Sequence, residues 1–224
     1  MRTRVMAAAL WGICTVAQAG VIDFNPASAV CNNSSTGNGS IVPCGDYGYI
    51  AQSYGDVAGV LDVQYSAPRL TDTTLQWWDS DYNSLRGVAW AAGGDGNSKA
   101  RIDLVPLNGQ GVTLTHFDIG AYANTTRGTT VTISAIGGPV LFSYVGNVGV
   151  LPANLPTSFD GSWSGANGIR IEWEDSAYNN GIDNITYEMR GVSPVPEPAA
   201  FLMLIVGLIC MGGITRHAKS EPFK

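Results

Sequence analysis

The chain has 224 residues, 45% of them hydrophobic and only 13% charged, with 18 Asp and Glu against 12 Lys and Arg. Five of the basic residues sit in the two ends, so the stretch 20–198 holds seven basic and seventeen acidic residues, a net charge of −10. A body this acidic argues against nucleic acid and anionic membrane surfaces as partners, and leaves divalent cations and neutral glycans open.

The N-terminus carries Arg2 and Arg4, an apolar run from Val5 to Cys14, and Ala17-Gln18-Ala19. A positive start, a short apolar stretch and an A-x-A site predict a secretory signal peptide over 1–19, cleaved between Ala19 and Gly20. The apolar run is too short for a retained membrane helix. The rest divides into an exported body at 20–190, a proline-rich linker at 191–198, an apolar span at 199–215 and a basic tail at 216–224.

Cys31 and Cys44 flank a loop rich in Asn, Ser, Thr and Gly, while Cys14 and Cys210 lie in the two ends. Two cysteines so placed, with no histidine nearby to suggest zinc, predict one disulfide formed in an oxidising compartment.

The body shows little helical periodicity. Short alternating runs separated by Gly, Asn, Asp and Pro predict strands at 57–65, 85–91, 100–105, 111–122, 129–136, 140–145, 168–173 and 182–189, with a weaker one at 47–53. In the 168–173 strand, Ile169, Ile171 and Trp173 face inward, and Arg170, Glu172 and Glu174 face out. Val112, Leu114, Phe117 and Ile119 break the two-residue period, which predicts a bulge near Thr115 and His116. Gly137-Gly138-Pro139 predicts a hairpin. The fold expected is all-β, an antiparallel β-sandwich of jelly-roll-like form.

Catalytic groups are sparse. His116 is the one histidine of the body, Asp118 follows two residues later, and no G-x-S-x-G turn is present. Alternate positions on a strand do not set an acid behind an imidazole, so a Ser-His-Asp triad is not expected. Glu172 and Glu174 share one strand face, whereas glycoside hydrolysis needs two carboxylates on opposite sides of a sugar. Catalytic residues are therefore expected to be absent.

Calcium is the one inorganic candidate, as a structural ion; otherwise no cofactor is expected and the metal ligands stay unassigned. Asp79-Ser80-Asp81-Tyr82-Asn83-Ser84 opens like an EF-hand loop, but Ser84 holds the glycine position and Trp90 the glutamate position. Gly93-Gly94-Asp95-Gly96-Asn97 and Asp183-Asn184 offer further oxygens, yet these residue types also simply favour turns.

Aromatic residues are the stronger signal. Sugar rings stack on indole and phenol faces while Asp and Asn accept hydroxyl protons. Trp77, Trp78, Asp79 and Tyr82 combine both features and form the candidate glycan-binding set. Adjacent strand residues point to opposite faces, so one of the two tryptophans is expected in the core. Core packing is the expectation for Trp90 and Trp173.

Val195-Pro196-Glu197-Pro198 precedes sixteen uncharged residues, Ala199 to Ile214, and then Arg216, His217 and Lys219. The alternating prolines force an extended, exposed stretch. The apolar segment is short for a bilayer, which suits a weak anchor, and basic residues beyond it favour a cytoplasmic tail. Pro196, Glu197, Pro198 and Arg216, in this three-part order, resemble the PEP-CTERM sorting signal of Gram-negative bacteria. The resemblance implies export, transient anchoring in the inner membrane, processing by exosortase, and a place at the cell surface or in the exopolysaccharide matrix. Arg216 and Lys219 stand where that family carries a denser arginine run. The stretches LTHFDIGAY, TTVTISAIGGPVLFSY, FDGSW and GIDNITYE are similar to exported sandwich bodies that carry such tails, and loosely to galactose-binding-like carbohydrate modules. The expected function is a non-enzymatic surface or matrix protein that binds glycan. The alternative is a secreted carbohydrate-active enzyme, and a third reading is a purely structural matrix protein.

Overall fold

The computed structural model describes residues 18–191. The PEP motif, the apolar span, the basic tail and most of the expected leader lie outside the described residues. Gln18 and Ala19, the last residues of that leader, open the first strand.

Fourteen strands follow in chain order among the described residues: β1 (Gln18–Ile22), β2 (Cys31–Asn32), β3 (Ile41–Val42), β4 (Gly48–Ile50), β5 (Leu61–Ser66), β6 (Gln76–Trp78), β7 (Val88–Trp90), β8 (Ser98–Pro106), β9 (Gly111–Ala121), β10 (Arg127–Ala135), β11 (Val140–Val148), β12 (Thr157–Gly165), β13 (Ile169–Asp175) and β14 (Asn180–Arg190). They form two sheets. The larger runs β12-β9-β14-β7-β6-β4-β2-β3, with β1 also pairing to β14; the smaller runs β11-β10-β13-β8-β5. Neighbouring strands pair antiparallel throughout, and the architecture is consistent with a β-sandwich.

The inner faces share one core. Ile102, Leu104, Ile133, Ile171 and Trp173 come from the smaller sheet, and Leu114, Phe117, Ile119, Ile182 and Ile185 from the larger. The alternation read in β13 is the alternation found: Ile169, Ile171 and Trp173 are fully buried, and Arg170, Glu172 and Glu174 lie on the outer face. The Trp173 indole N–H donates to the Asn180 carbonyl at 2.8 Å, so its one polar atom is satisfied inside the core.

The bulge falls where the broken period put it. On β14, Thr186 pairs with His116 and Tyr187 with Leu114, which leaves Thr115 as the extra residue on β9. On the other side of β9, the opposing strand β12 skips as well, with Asp160 opposite His116 and Trp163 opposite Leu114. Strand 57–65 is shorter than expected. Val57 donates its N–H to the Leu61 carbonyl across a turn in which Gly59 has φ 71°, so β5 begins only at Leu61. Strand 85–91 is likewise trimmed to Val88–Trp90.

Cys31 and Cys44 form the expected disulfide, closing a sequence separation of 13 beside β2 and β4. A loop of that size is worth about 3 kcal/mol in the chain-entropy picture.

A second, smaller hydrophobic cluster lies apart from the main core. It consists of Tyr82, Leu85 and Val88, with Trp78 and Tyr122 packed against it. β7 is buried at all three positions, because its inner face meets the core and its outer face is covered by loop 79–87.

Candidate functional site

The site begins with the pairing of β6 and β7. Trp77 stands opposite Ala89, and Trp78 opposite Val88. Alternation then sends Trp77 inward and Trp78 outward. Trp77 is 3% exposed and its indole N–H donates to the Phe24 carbonyl at 2.7 Å. Trp90, opposite Gln76, shares the outer face with Trp78 and Val88.

Loop 79–87 folds back over this outer face. Asp81, Asn83 and Gly87 have positive φ, which Asp, Asn and Gly tolerate best, and the Gly87 N–H closes the loop on the Asp79 carbonyl at 2.6 Å. The Asn83 side chain fastens it to the sheet. Its Oδ1 accepts the Ala121 N–H at 2.7 Å, and its Nδ2 donates to the Thr125 carbonyl at 3.2 Å. Tyr82 is thereby laid on β9 and β14, and its hydroxyl donates to the Tyr178 carbonyl at 3.3 Å. Burial raises the Tyr82 phenol well above its ordinary range, so it stays a neutral donor.

The aromatic side chains around this loop form a closed ring. Tyr178 meets Trp90 at 5.2 Å between centroids, Trp90 meets Trp78 at 6.3 Å, Trp78 meets Tyr122 at 5.5 Å, and Tyr122 meets Tyr82 at 5.4 Å. The Tyr82 hydroxyl then returns to the Tyr178 backbone. Tyr47 adds a sixth ring, 4.8 Å from Trp78 and 5.7 Å from Trp90. Most neighbours meet edge to face, the arrangement that ring quadrupoles favour. Together with Asn179 these residues line a cup holding about 50 Å³ of space open to water. Tyr47, 54% exposed, is the rim, and Trp90, 2% exposed, is deep. Among the described residues the buried Trp90 indole N–H has no hydrogen-bond acceptor.

Two of the four residues singled out for a sugar, Trp78 and Tyr82, line the cup. Trp77 is in the core. Asp79 turns aside, its carboxylate 3.3 Å from the Arg86 guanidinium. Trp90 is buried as expected, yet its ring is also a wall of the cup. Tyr47, Tyr122, Tyr178 and Asn179 were not singled out by the sequence. Each sits in a turn or at a strand end, with no spacing that links it to Trp78.

The other candidate groups lie elsewhere. Glu172 is held by Arg101 at 2.8 Å and Lys99 at 3.4 Å, and Glu174 by Arg69 at 3.0 Å and Lys99 at 3.6 Å. Arg170 grips Asp103 with two bonds, of 2.8 and 2.7 Å. This is an ion-paired outer face of the smaller sheet. His116 Nδ1 is 2.8 Å from Asp160, while the Ser158 hydroxyl donates to Asp118 at 2.6 Å and not to the imidazole. Asp183 is 2% exposed, accepts the Phe24 N–H at 2.8 Å, and is pushed up to about 7 by burial. Among the described residues no group of three metal-ligating side chains gathers.

No protein-family model matches the chain, and no curated protein matches it. One solved structure with partial similarity is an exo-β-1,3-galactanase from Phanerochaete chrysosporium with galactose, at 13% identity and a TM-score of 0.33. The alignment covers 64% of this chain and 32% of the galactanase, so the chain spans about a third of that protein's length. Similarity at this level transfers no residue and no activity.

Proposed function

We propose that this is an exported, non-enzymatic protein of the cell surface or exopolysaccharide matrix, with a jelly-roll-like body that binds glycan through the aromatic cup. In this reading residues 1–19 are a secretory leader. Residues 199–215 anchor the chain briefly in the inner membrane, and exosortase recognises Pro196, Glu197 and Pro198. The disulfide between Cys31 and Cys44 fits an oxidising compartment. The acidic body fits a neutral rather than an anionic polymer.

The observation that carries the binding reading is the cup itself. Six aromatic rings converge from separate strands and turns around a space left open to solvent, with a polar amide, Asn179, at the wall. Concave, mainly apolar sites with a few polar groups are the usual form of a small-ligand pocket.

The test is a glycan array and a polysaccharide panel probed with the full chain purified in mild detergent, beside its Trp78→Ala variant. Retained binding by the parent and at least a tenfold loss in the variant support the reading. Turnover of a polysaccharide would replace it with the carbohydrate-active enzyme. Neither binding nor turnover would leave a structural matrix protein.

A further inference from the structure

The two sheets end in four outer strands, β3 and β12 of the larger and β5 and β11 of the smaller. An outer strand turns a row of backbone N–H and C=O groups away from its sheet, and such rows are usually guarded against stray pairing. Three of the four are guarded. β3 has only two residues. β12 slips in register between Asp160 and Trp163 and carries the Asp160 carboxylate at that point. On β5, Asp56 Oδ1 accepts the Val63 N–H at 2.8 Å, and the Gln52 side chain accepts the Tyr65 N–H at 3.0 Å and donates to the Tyr65 carbonyl at 2.7 Å.

β11 has none of these devices. Val140–Val148 reads VLFSYVGNV, nine residues without a charge or a proline. Its neighbour β10 is uncharged from Gly128 to Ala135. Pairing between the two slips once, at Leu141, and is regular from Phe142 to Val148. Among the described residues, the one side-chain bond to the β11 backbone comes from within the strand, the Tyr144 hydroxyl donating to the Asn147 carbonyl at 2.7 Å. Exposed apolar side chains gather in the same place. Of nine large ones on the described surface, six are Val140, Leu141, Val145, Val150, Leu151 and Leu155, on β11 and the loop after it. Val145, at 78%, is the most exposed of them. Apolar patches of this kind mark contact surfaces.

An open strand edge is satisfied by another extended backbone. β11 matches itself when it pairs antiparallel about a two-fold axis at Val145. Val145 then faces its own copy, Ser143 faces Asn147, Tyr144 faces Gly146 and Phe142 faces Val148 of the second copy. On one face a polar pair flanks the apolar pair on each side, and on the other each ring meets a smaller residue. The same course lays Val140 of one copy beside Val150 of the other, so the exposed apolar ends meet as well. Charge points the same way. The stretch 20–198 carries −10, so two copies repel wherever bare charge meets bare charge. Along β11 and β10 none does, and on the next strand, β13, Glu172 and Glu174 are already held by Arg101 and Arg69.

We infer that β11 is a self-docking edge. Two copies of this chain pair through it about a two-fold axis at Val145, which joins their five-stranded sheets into one continuous sheet. The aromatic cup lies on the larger sheet, and the pairing holds with or without a glycan.

Sedimentation velocity of the full chain in mild detergent, over a dilution series, should show a reversible monomer–dimer equilibrium. Hydrogen exchange read by mass spectrometry should show the amides of 140–148 gaining protection as concentration rises. Val145→Lys and Val145→Glu should each weaken dimerisation at least tenfold, because like charge then faces like across the axis. An equal mixture of the two should restore association to within threefold of the parent. That recovery is specific to a residue that faces itself, and it also shows that both variants fold. Ile41→Lys, a change at an exposed apolar residue of β3, is the control and should leave dimerisation unchanged. A monomer at every concentration with fast exchange along β11 overturns the inference. Protection of 140–148 that does not change on dilution overturns it in favour of a cover from residues 192–224 of the same chain. A dimer indifferent to both Val145 substitutions overturns it in favour of association elsewhere on the chain. Loss in both variants without recovery in the mixture overturns the axis at Val145.

Discussion

Gly120 and Gly181 stand opposite one another on β9 and β14, and Tyr82 lies directly on the bare backbone they leave. A Cβ at Gly120 would come within 2.2 Å of the Tyr82 carbonyl oxygen, and one at Gly181 within 2.4 Å of Val88. The loop that builds the cup is thus seated by the absence of two side chains.

Gly120→Ala should destabilise the protein by about 1–3 kcal/mol, because backbone and not a flexible side chain must move. It should weaken glycan binding at the same time, since Tyr82 is displaced with its loop. Gly45→Ala is the control. No atom lies within 4 Å of its added Cβ, and its midpoint should shift by less than about 0.5 kcal/mol equivalent in a urea titration.

The neighbouring tryptophans should separate stability from binding. Trp77→Phe removes a buried N–H bond to Phe24 and leaves that carbonyl without it, at a cost of about 1–3 kcal/mol in chemical denaturation. Its effect on ligand affinity should be small. Trp78→Ala should do the reverse, with binding lost and the denaturation midpoint moved less.

Asp183 should make the protein less stable as pH rises. Its folded pKa is raised to about 7 from an ordinary 3.8, mainly by burial and secondarily by Asp23 and Asp118. The folded state therefore holds a proton that the unfolded state has given up between those values. Stability is fully present below about pH 4 and falls as pH climbs to about 7, by up to about 4 kcal/mol from this group. Asp183→Asn keeps an acceptor for the Phe24 N–H and should flatten the decline. Thermal midpoints at pH 5 and pH 8 for both proteins decide it, and an equal slope in the two would refute the assignment.

Replacing Cys31 and Cys44 together by serine should cost about 3 kcal/mol, with the same loss on adding reductant to the parent. Denaturation of reduced and oxidised parent protein measures this directly.

For the sorting reading, the mass of the secreted or surface-extracted chain should begin at Gly20 and end before the basic tail. Recovery from the cytosol with residues 1–19 and 216–224 intact would refute export.

The sequence revealed strands whose period held and hid those whose period broke. β13 was legible because Ile169, Ile171 and Trp173 alternate cleanly with charges. β12 was not, because Asp160, Gly161 and Ser162 separate Phe159 from Trp163 where the register slips against β9. β6 was invisible as a strand, since Gln76, Trp77 and Trp78 are too few to show a period. The Thr115 bulge was legible for the opposite reason: four apolar residues of β9 keep the pattern on each side and shift it between. Two of the seven residues that line the cup, Trp78 and Tyr82, were legible by composition. The rest of the cup depends on which strand ends the sheet brings together, and Tyr47, Tyr122 and Tyr178 carry no local mark of that.

Antiparallel pairing of β1 with β14 places Gln18 beside Met189. The chain thus enters the sandwich and leaves it at the same pole. Tyr178 and Asn179 precede the first residue of β14, at the far pole, with roughly 30 Å of strand between them and Gly191. Both ends of the described chain thus share one pole of the body, and the aromatic cup occupies the other, so a label or tether attached at Gln18 or Gly191 would leave the cup uncovered.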